Sequence, residues 1–278
     1  MDRPGRIDTH QHIVPPFYAS WLSDQDITAG GLPIPGWSRD DALAVMDGNG
    51  ITTAIVSVST PGVYVGDGTA ARAMAQRVNE FTAEVVKDRP DRFGFFATLT
   101  LPDVPGAIAE AEHAFEVLGA DGPSTLPAPP LPGIPPYAAD FLLDTTRAAI
   151  NLVRGAVFDR HPNLKIILSH AGGFLPYAAE RIATSFEMSR FEGLMADLGR
   201  FFFDTALSAS PSALPTLLQF ADPTRITFGS DWPYASAETA AHFTTNLTAY
   251  PLEEGLRTAI DRGNAEALFP RLAGRSGR

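Results

Sequence analysis

The chain has 278 residues, 45% of them hydrophobic and 19% charged, which is enough for one large core; a single α/β barrel of ~250 residues is as natural a size as two smaller domains. A net charge of -11 and a pI near 4.9 repel nucleic acid and anionic membrane surfaces and exclude both as partners. With no cysteine there is no disulfide framework, no thiolate nucleophile and no sulfur-ligated zinc, so any metal must be held by His, Asp or Glu.

The start, Met1 to Arg6, carries no apolar signal core, and no run reaches the ~18 apolar residues of a membrane span, so the expected location is cytoplasmic. The first apolar run, Ile7-Asp8-Thr9-His10-Gln11-His12, reads as a buried strand. Alternation along a strand sends His10 and His12 to one face, where two neutral imidazoles make a ready metal clamp. A hydrogen-bonded core histidine beside an incidental one fits an isolated His-x-His equally well. Residues 14 to 37 read as a loop rich in Pro and Gly, whose Phe17, Tyr18, Trp21 and Trp37 either wall a pocket or pack a long connection. Ser38 then caps a helix to about Gly48, with Asp40 and Asp41 in its first turn. A second strand over 52–58, a helix over 69–88, a third strand over 93–99 and a helix over 103–118 follow.

Here the alternation falters. Gly119 to Gly122 opens like a fourth strand, but seven of the fourteen residues from Pro123 to Pro136 are proline. Proline supplies no ladder donors, so 123–136 reads as a proline-rich loop. A helix over 138–160 ends near His161-Pro162, where His161 reads as a solvated residue at the helix terminus.

The second half is regular. Leu164 to His170 reads as a strand ending in histidine, with a helix to about 191 after Gly172-Gly173. Phe201 to Leu207 is the next strand, with a helix after Pro211. Arg225 to Asp231 is the last, ending in a carboxylate before Trp232-Pro233, and helices over 236–247 and 252–269 close the chain. His113 and His242 fall mid-helix and read as surface residues. Strands alternating with helices mean a parallel sheet, and the lack of a glycine-rich nucleotide fingerprint favours a barrel over a dinucleotide-binding fold. The C-terminal strand ends of a barrel converge on one face, which would gather His10, His12, His170 and Asp231. Nitrogen and carboxylate donors without thiolate suit Zn²⁺ foremost here, with Mn²⁺ or Fe²⁺ as alternatives.

The runs Ile7 to His12 with Pro15, Leu168 to Gly173, Phe203-Asp204-Thr205-Ala206 and Phe228 to Pro233 together resemble the amidohydrolase superfamily. The resemblance is to its metal-dependent decarboxylases acting on aminocarboxymuconate semialdehyde and on hydroxybenzoates such as 6-methylsalicylate. It covers most of the chain and implies one domain over 1–278, an α/β fold of the (β/α)8 TIM-type barrel class. It further implies that His10 and His12 are metal ligands from strand 1 and that Asp231, from strand 8, is a ligand that also handles the proton. His170, from strand 6, would be the catalytic acid or base. The family carries one more metal-ligand histidine at the end of strand 5, and between Gly119 and Leu164 this chain has only His161, which belongs to a helix end. The barrel is therefore expected to be incomplete around strands 4–5, with six or seven strands and exposed edges. The proline-rich loop, neighbouring helices or the partner copy of a homodimer would cover those edges.

What the resemblance implies is non-oxidative decarboxylation of a small aromatic or dienoic carboxylic acid, with Phe174, Trp232 and the aromatic loop holding the ring. Two alternatives stand beside it: metal-assisted hydrolysis of a lactone or amide, which the same ligands could serve, and a catalytically impaired barrel lacking its strand-5 histidine.

Overall fold

The computed structural model describes residues 5–29, 31–124, 135–186 and 188–273. Seven parallel strands lie among them. Four form one sheet in the order β1 (Arg6–His12), β2 (Ile51–Ser57), β3 (Phe93–Thr98) and β4 (Gly122–Ser124). Three form a second sheet in the order β5 (Ile167–Leu168), β6 (Phe202–Asp204) and β7 (Ile226–Thr227). A parallel bridge between Asp8 and Phe228 joins β1 to the end of β7, so the strands follow one arc, β4-β3-β2-β1-β7-β6-β5. Among the described residues no pairing joins β5 to β4.

The strands are buried on both faces, as parallel strands covered by helices are, with apolar side chains prevailing outside the polar β1. Ile7, Ile55, Phe93, Phe95, Phe203 and Phe228 are all but inaccessible, and each such side chain contributes ~1.5–3 kcal/mol of burial. Helices cover the outside, among them Gly68–Asp88, whose Asp67 cap accepts the amides of Thr69 and Ala70. At the end of the arc opposite the strand C-termini, the last helices return to the first strand. Arg262 donates to the Gly5 carbonyl (3.3 Å), Thr52 Oγ1 (3.1 Å) and the Leu272 carbonyl (3.3 Å), and Ile7 and Ile55 pack with Ala265 and Leu272. No helix among the described residues is long and apolar enough to cross a membrane.

Several expectations change. The stretch read as a loop over 14–37 holds a helix, Pro16–Ser23, because Pro16 stands at its first position, where a missing N–H costs nothing. Pro123 is in a strand, opposite Ala97, and β4 is outermost in its sheet, the place where a sheet tolerates proline. Pro136 opens the helix Pro136–Arg154, and the rest of the expected loop, 125–134, lies outside the described residues. The helix expected over 103–118 is α-helical only over Val104–His113 and widens to a π turn over Ala114–Leu118. The helix expected up to about 191 ends at Thr184, and a separate one follows over Phe191–Leu198. Strand β5 is only two residues long, so His170 does not end a strand but sits in the turn after it. His113 is half-buried rather than on the surface, and its Nε2 atom is enclosed.

Candidate metal centre

Period-two alternation on β1 aims Asp8, His10 and His12 to one side. Thr9 is turned to β7, its hydroxyl 2.8 Å from that of Thr227 and 3.0 Å from the Phe228 carbonyl. The chain beyond β7 is then docked onto β1: the amides of Ser230 and Asp231 donate to the His10 carbonyl at 3.2 and 2.7 Å. Asp231 has φ 63°, a left-handed backbone that Asp tolerates better than most residues. Its carboxylate thereby faces the two histidines of β1.

The result is a tight triangle. Asp231 Oδ1 lies 3.0 Å from His10 Nε2 and 3.0 Å from His12 Nε2, and the two imidazole nitrogens are 3.2 Å apart. All three residues are buried, at 8%, 7% and 8% exposure for His10, His12 and Asp231. The far side of each ring decides what the near side offers. His12 Nδ1 is 3.2 Å from the Ser57 carbonyl, which can only accept, and His10 Nδ1 is 2.8 Å from Asp204 Oδ2. Both rings donate through Nδ1, so in their neutral forms both Nε2 atoms present lone pairs to each other and to a carboxylate oxygen. Three lone-pair atoms so close repel unless a metal cation or a proton lies among them. Ligand bonds of ~2.0–2.2 Å imply ligand–ligand separations of ~3.0–3.5 Å in octahedral or tetrahedral shells, and the observed 3.0–3.2 Å falls in that range. The triangle fits a divalent metal.

Without a metal, a proton on His10 takes the cation's place. Burial alone lowers His10, but the Asp204 and Asp231 carboxylates outweigh it and hold the ring well above the usual histidine range. Burial dominates at His12 and lowers it. At Asp231 burial works upward, yet the hydrogen bonds to His10 and His12 bring it below the usual carboxylate range. Asp8 sits beneath, accepting the amides of His10 (3.0 Å) and Ser230 (3.1 Å), and burial pushes its carboxyl up to about 6.

His170 comes from the other sheet. It opens a run of four residues with positive φ, His170 (53°), Ala171 (56°), Gly172 (74°) and Gly173 (63°). A Cβ at Gly173 would run into the Leu142 carbonyl, so glycine is required there. Within this turn His170 Nδ1 donates to the Ala206 carbonyl (3.2 Å), and the ring lies 4.7 Å from that of His10, centroid to centroid. His10, His170 and Asp204 form a second close grouping. There His10 Nδ1 is already bonded to Asp204, so that nitrogen offers no lone pair to a cation.

The residues singled out from sequence thus gather: His10, His12 and Asp231 in one triangle, and His170 beside it. Phe174 caps the helix after the turn and is 41% exposed, whereas Trp232 is 6% exposed and packs into the apolar core. Sequence reasoning assigned nothing to Asp204, which is 1% exposed and bonded to His10. A carboxylate ending a run of three phenylalanines was the available signal, since such a group is buried only when its oxygens are satisfied. Tyr234, edge-on to His12 at 5.1 Å, gave no such signal.

The sequence matches the family model described as Amidohydrolase over residues 7–142 and 139–271. The 6-methylsalicylic acid decarboxylase of Penicillium expansum is 33% identical over 316 aligned positions, covering 97% of this chain and 98% of that one. The alignment is longer than the chain, so that relative holds residues this one lacks. Among solved structures, a 2,6-dihydroxybenzoate decarboxylase complexed with 2,6-dihydroxybenzoate matches with a TM-score of 0.80 at 26% identity, over 96% of this chain and 99% of that one. The dihydroxybenzoic acid decarboxylase of Polaromonas sp. JS666, with bound manganese and 2-nitroresorcinol, shares the fold, with a TM-score of 0.79 at 24% identity over 96% of this chain and 97% of that one.

Proposed function

This chain belongs to the amidohydrolase family, and from that premise we propose that His10, His12 and Asp231 hold a divalent metal at which a small hydroxybenzoate-like acid loses carbon dioxide. The enzyme is a metal-dependent, non-oxidative decarboxylase. The observation that carries the site assignment is the triangle of three lone-pair atoms 3.0–3.2 Å apart. Its imidazole and carboxylate donors suit Zn²⁺ and Mn²⁺ alike. Three protein ligands with an open position is the pattern of catalytic sites, so the missing strand-5 histidine is compatible with turnover.

When bound, the metal supplies the positive charge that fixes the substrate's carboxylate and adjacent hydroxyl and offsets the charge developing as the bond lengthens. The chain's own groups do the rest. Decarboxylation requires a proton at the ring carbon that bears the carboxylate; the electrons of the breaking carbon–carbon bond then return to the ring as CO₂ leaves. His170 is the better donor, because its Nδ1 is committed to the Ala206 carbonyl and its Nε2 is left for the proton. Asp231 is held ionised by its two histidines and serves as ligand and counter-charge. The exposed Phe174 and the buried Trp232 are the aromatic side chains this reading assigns to the substrate's ring.

The same reading takes the barrel as open between β4 and β5, with a second copy covering the edge as a homodimer. Exposed Val104, Ile108, Phe115 and Val117 in the segment after β3 support that assembly. The deciding experiment incubates metal-loaded protein with 6-methylsalicylate and with 2,6-dihydroxybenzoate and measures CO₂ and the phenolic product. CO₂ release that stops on chelation is the expected result. Hydrolysis of lactones or amides by the same preparation, with no CO₂ from either acid, would overturn it.

A further inference from the structure

Asp204 has no part in the proton transfer or the ligand triangle, yet it touches both sides of the site. Its Oδ2 accepts from His10 Nδ1 at 2.8 Å, while its Oδ1 accepts the amides of His170 (2.9 Å) and Ala206 (3.0 Å). Its three donors thus occupy both oxygens of a buried carboxylate. The His170 amide it holds belongs to the first residue of the left-handed run, and the carbonyl of Ala206, whose amide it also holds, receives His170 Nδ1.

We propose that Asp204 is the positioning residue of the centre, one oxygen fixing the His10 tautomer that turns a bare Nε2 to the metal, the other fixing the turn that presents His170. This rests on the reading of His10 as a metal ligand. The two halves of the role separate chemically. In Asp204→Asn the amide oxygen can keep the His170 and Ala206 amides, but an NH₂ then faces His10 Nδ1. Two donors cannot bond, so His10 must move its proton to Nε2, and the lone pair aimed at Asp231 and His12 is lost. In Asp204→Ala both halves go.

The test is Mn²⁺ titration calorimetry on the full chain, with ¹⁵N–¹H NMR of the histidine rings in the metal-free and Zn²⁺-loaded proteins. Asp204→Asn should keep its fold and melting behaviour but lose ~10–100-fold in Mn²⁺ affinity, with the His10 proton on Nε2. Asp204→Ala should lose that affinity and also melt lower. Unaltered Mn²⁺ affinity in a folded Asp204→Asn, with the His10 proton still on Nδ1, overturns the proposal while leaving the metal site intact. Wild-type protein that binds neither Mn²⁺ nor Zn²⁺ overturns the metal reading instead, and the ring tautomers of the metal-free protein, read at a pH where His10 is neutral, then still decide what Asp204 does to His10. Should Asp204→Asn fail to fold, the Zn²⁺-loaded wild type decides: a proton on His10 Nδ1 supports the role, and one on Nε2 refutes it.

Discussion

A single methyl group at Gly229 should disable the metal centre. A Cβ built there would lie 2.8 Å from His10 Cβ, 3.1 Å from Ala206 Cβ and 3.2 Å from the Ala206 amide nitrogen. Restoring an ordinary contact moves His10 or the β7 end by about 0.6 Å or more, because ordinary contacts begin at 3.4 Å. His10 has little slack: Asp204 grips its ring at 2.8 Å, Asp231 lies 3.0 Å away, and its carbonyl takes two amides from Ser230 and Asp231. Binding sites tolerate errors of ~0.5 Å. Gly229→Ala should therefore cost ~10–100-fold in metal affinity and ~1–3 kcal/mol of stability from overpacking. Calorimetric titration with Mn²⁺ reads the first, and urea unfolding in the presence of chelator reads the second. Gly193→Ala is the control, since nothing lies within 4 Å of a Cβ on that exposed helical glycine, and it should stabilise by ~0.5–1 kcal/mol. A Gly229→Ala protein with wild-type metal affinity and stability would refute the claim that His10 is wedged at this point.

Asp231→Asn keeps a residue type that tolerates the left-handed backbone but removes the charge, so metal affinity should fall by more than about 100-fold; retained metal by elemental analysis would contradict this. His170→Asn should lower turnover by ~10²–10⁴-fold with metal affinity unchanged; loss of metal would make His170 a ligand. Asp8 sets a pH dependence in the metal-free protein. Its carboxyl is pushed up to about 6 by burial, against the opposing bonds from Ser230 and His10, so the unfolded chain, with a pKa of ~3.9, ionises first. Its contribution is thus lost as pH rises from about 4 to about 6, by ~3 kcal/mol. Asp8→Asn abolishes that loss, and a flip of the Gln11 amide, whose Nε2 donates to Asp8 Oδ2 in the wild type and whose Oε1 has no partner there, lets Oε1 accept the new N–H. The variant should match wild type near pH 4 and exceed it near pH 7, and parallel stability curves would show that Asp8 is ionised throughout.

The parts of this molecule that depend on nearest neighbours were legible in its sequence. Apolar runs marked β1, β2 and β3 to within a residue or so, and Ser38 capped its helix by accepting the Asp41 amide as expected. The convergence of His10, His12 and Asp231 was legible because period-two alternation and strand ends suffice to aim them at one another. What was hidden depends on distant contacts. The four left-handed residues from His170 are held by Asp204 and Phe203 on another strand, and only two of the four are glycine. Prolines misled twice, at Pro16 and at Pro123, because proline opens a helix and tolerates a sheet edge as readily as it breaks either. The π turns over Ala114–Leu118 and Ala259–Gly263 shift helix register with no local mark.

The bridge from β1 to the end of β7 also sets when the enzyme can exist during its synthesis. His10 and Asp231 are 221 positions apart. At ~5–20 residues per second, β1 leaves the ribosome roughly 10–40 s before the carboxylate it must meet. The β1–β4 sheet can assemble in that interval, since its pairings lie within the first half of the chain. The other edge of β1 cannot be closed, and Ile7 there stands without the Ala265 and Leu272 side chains that later cover it. On the proposed ligand set the metal site is complete only after translation has delivered Asp231, and any nascent or prematurely terminated chain ending before Phe228 carries an unsatisfied strand edge, a natural client for chaperones.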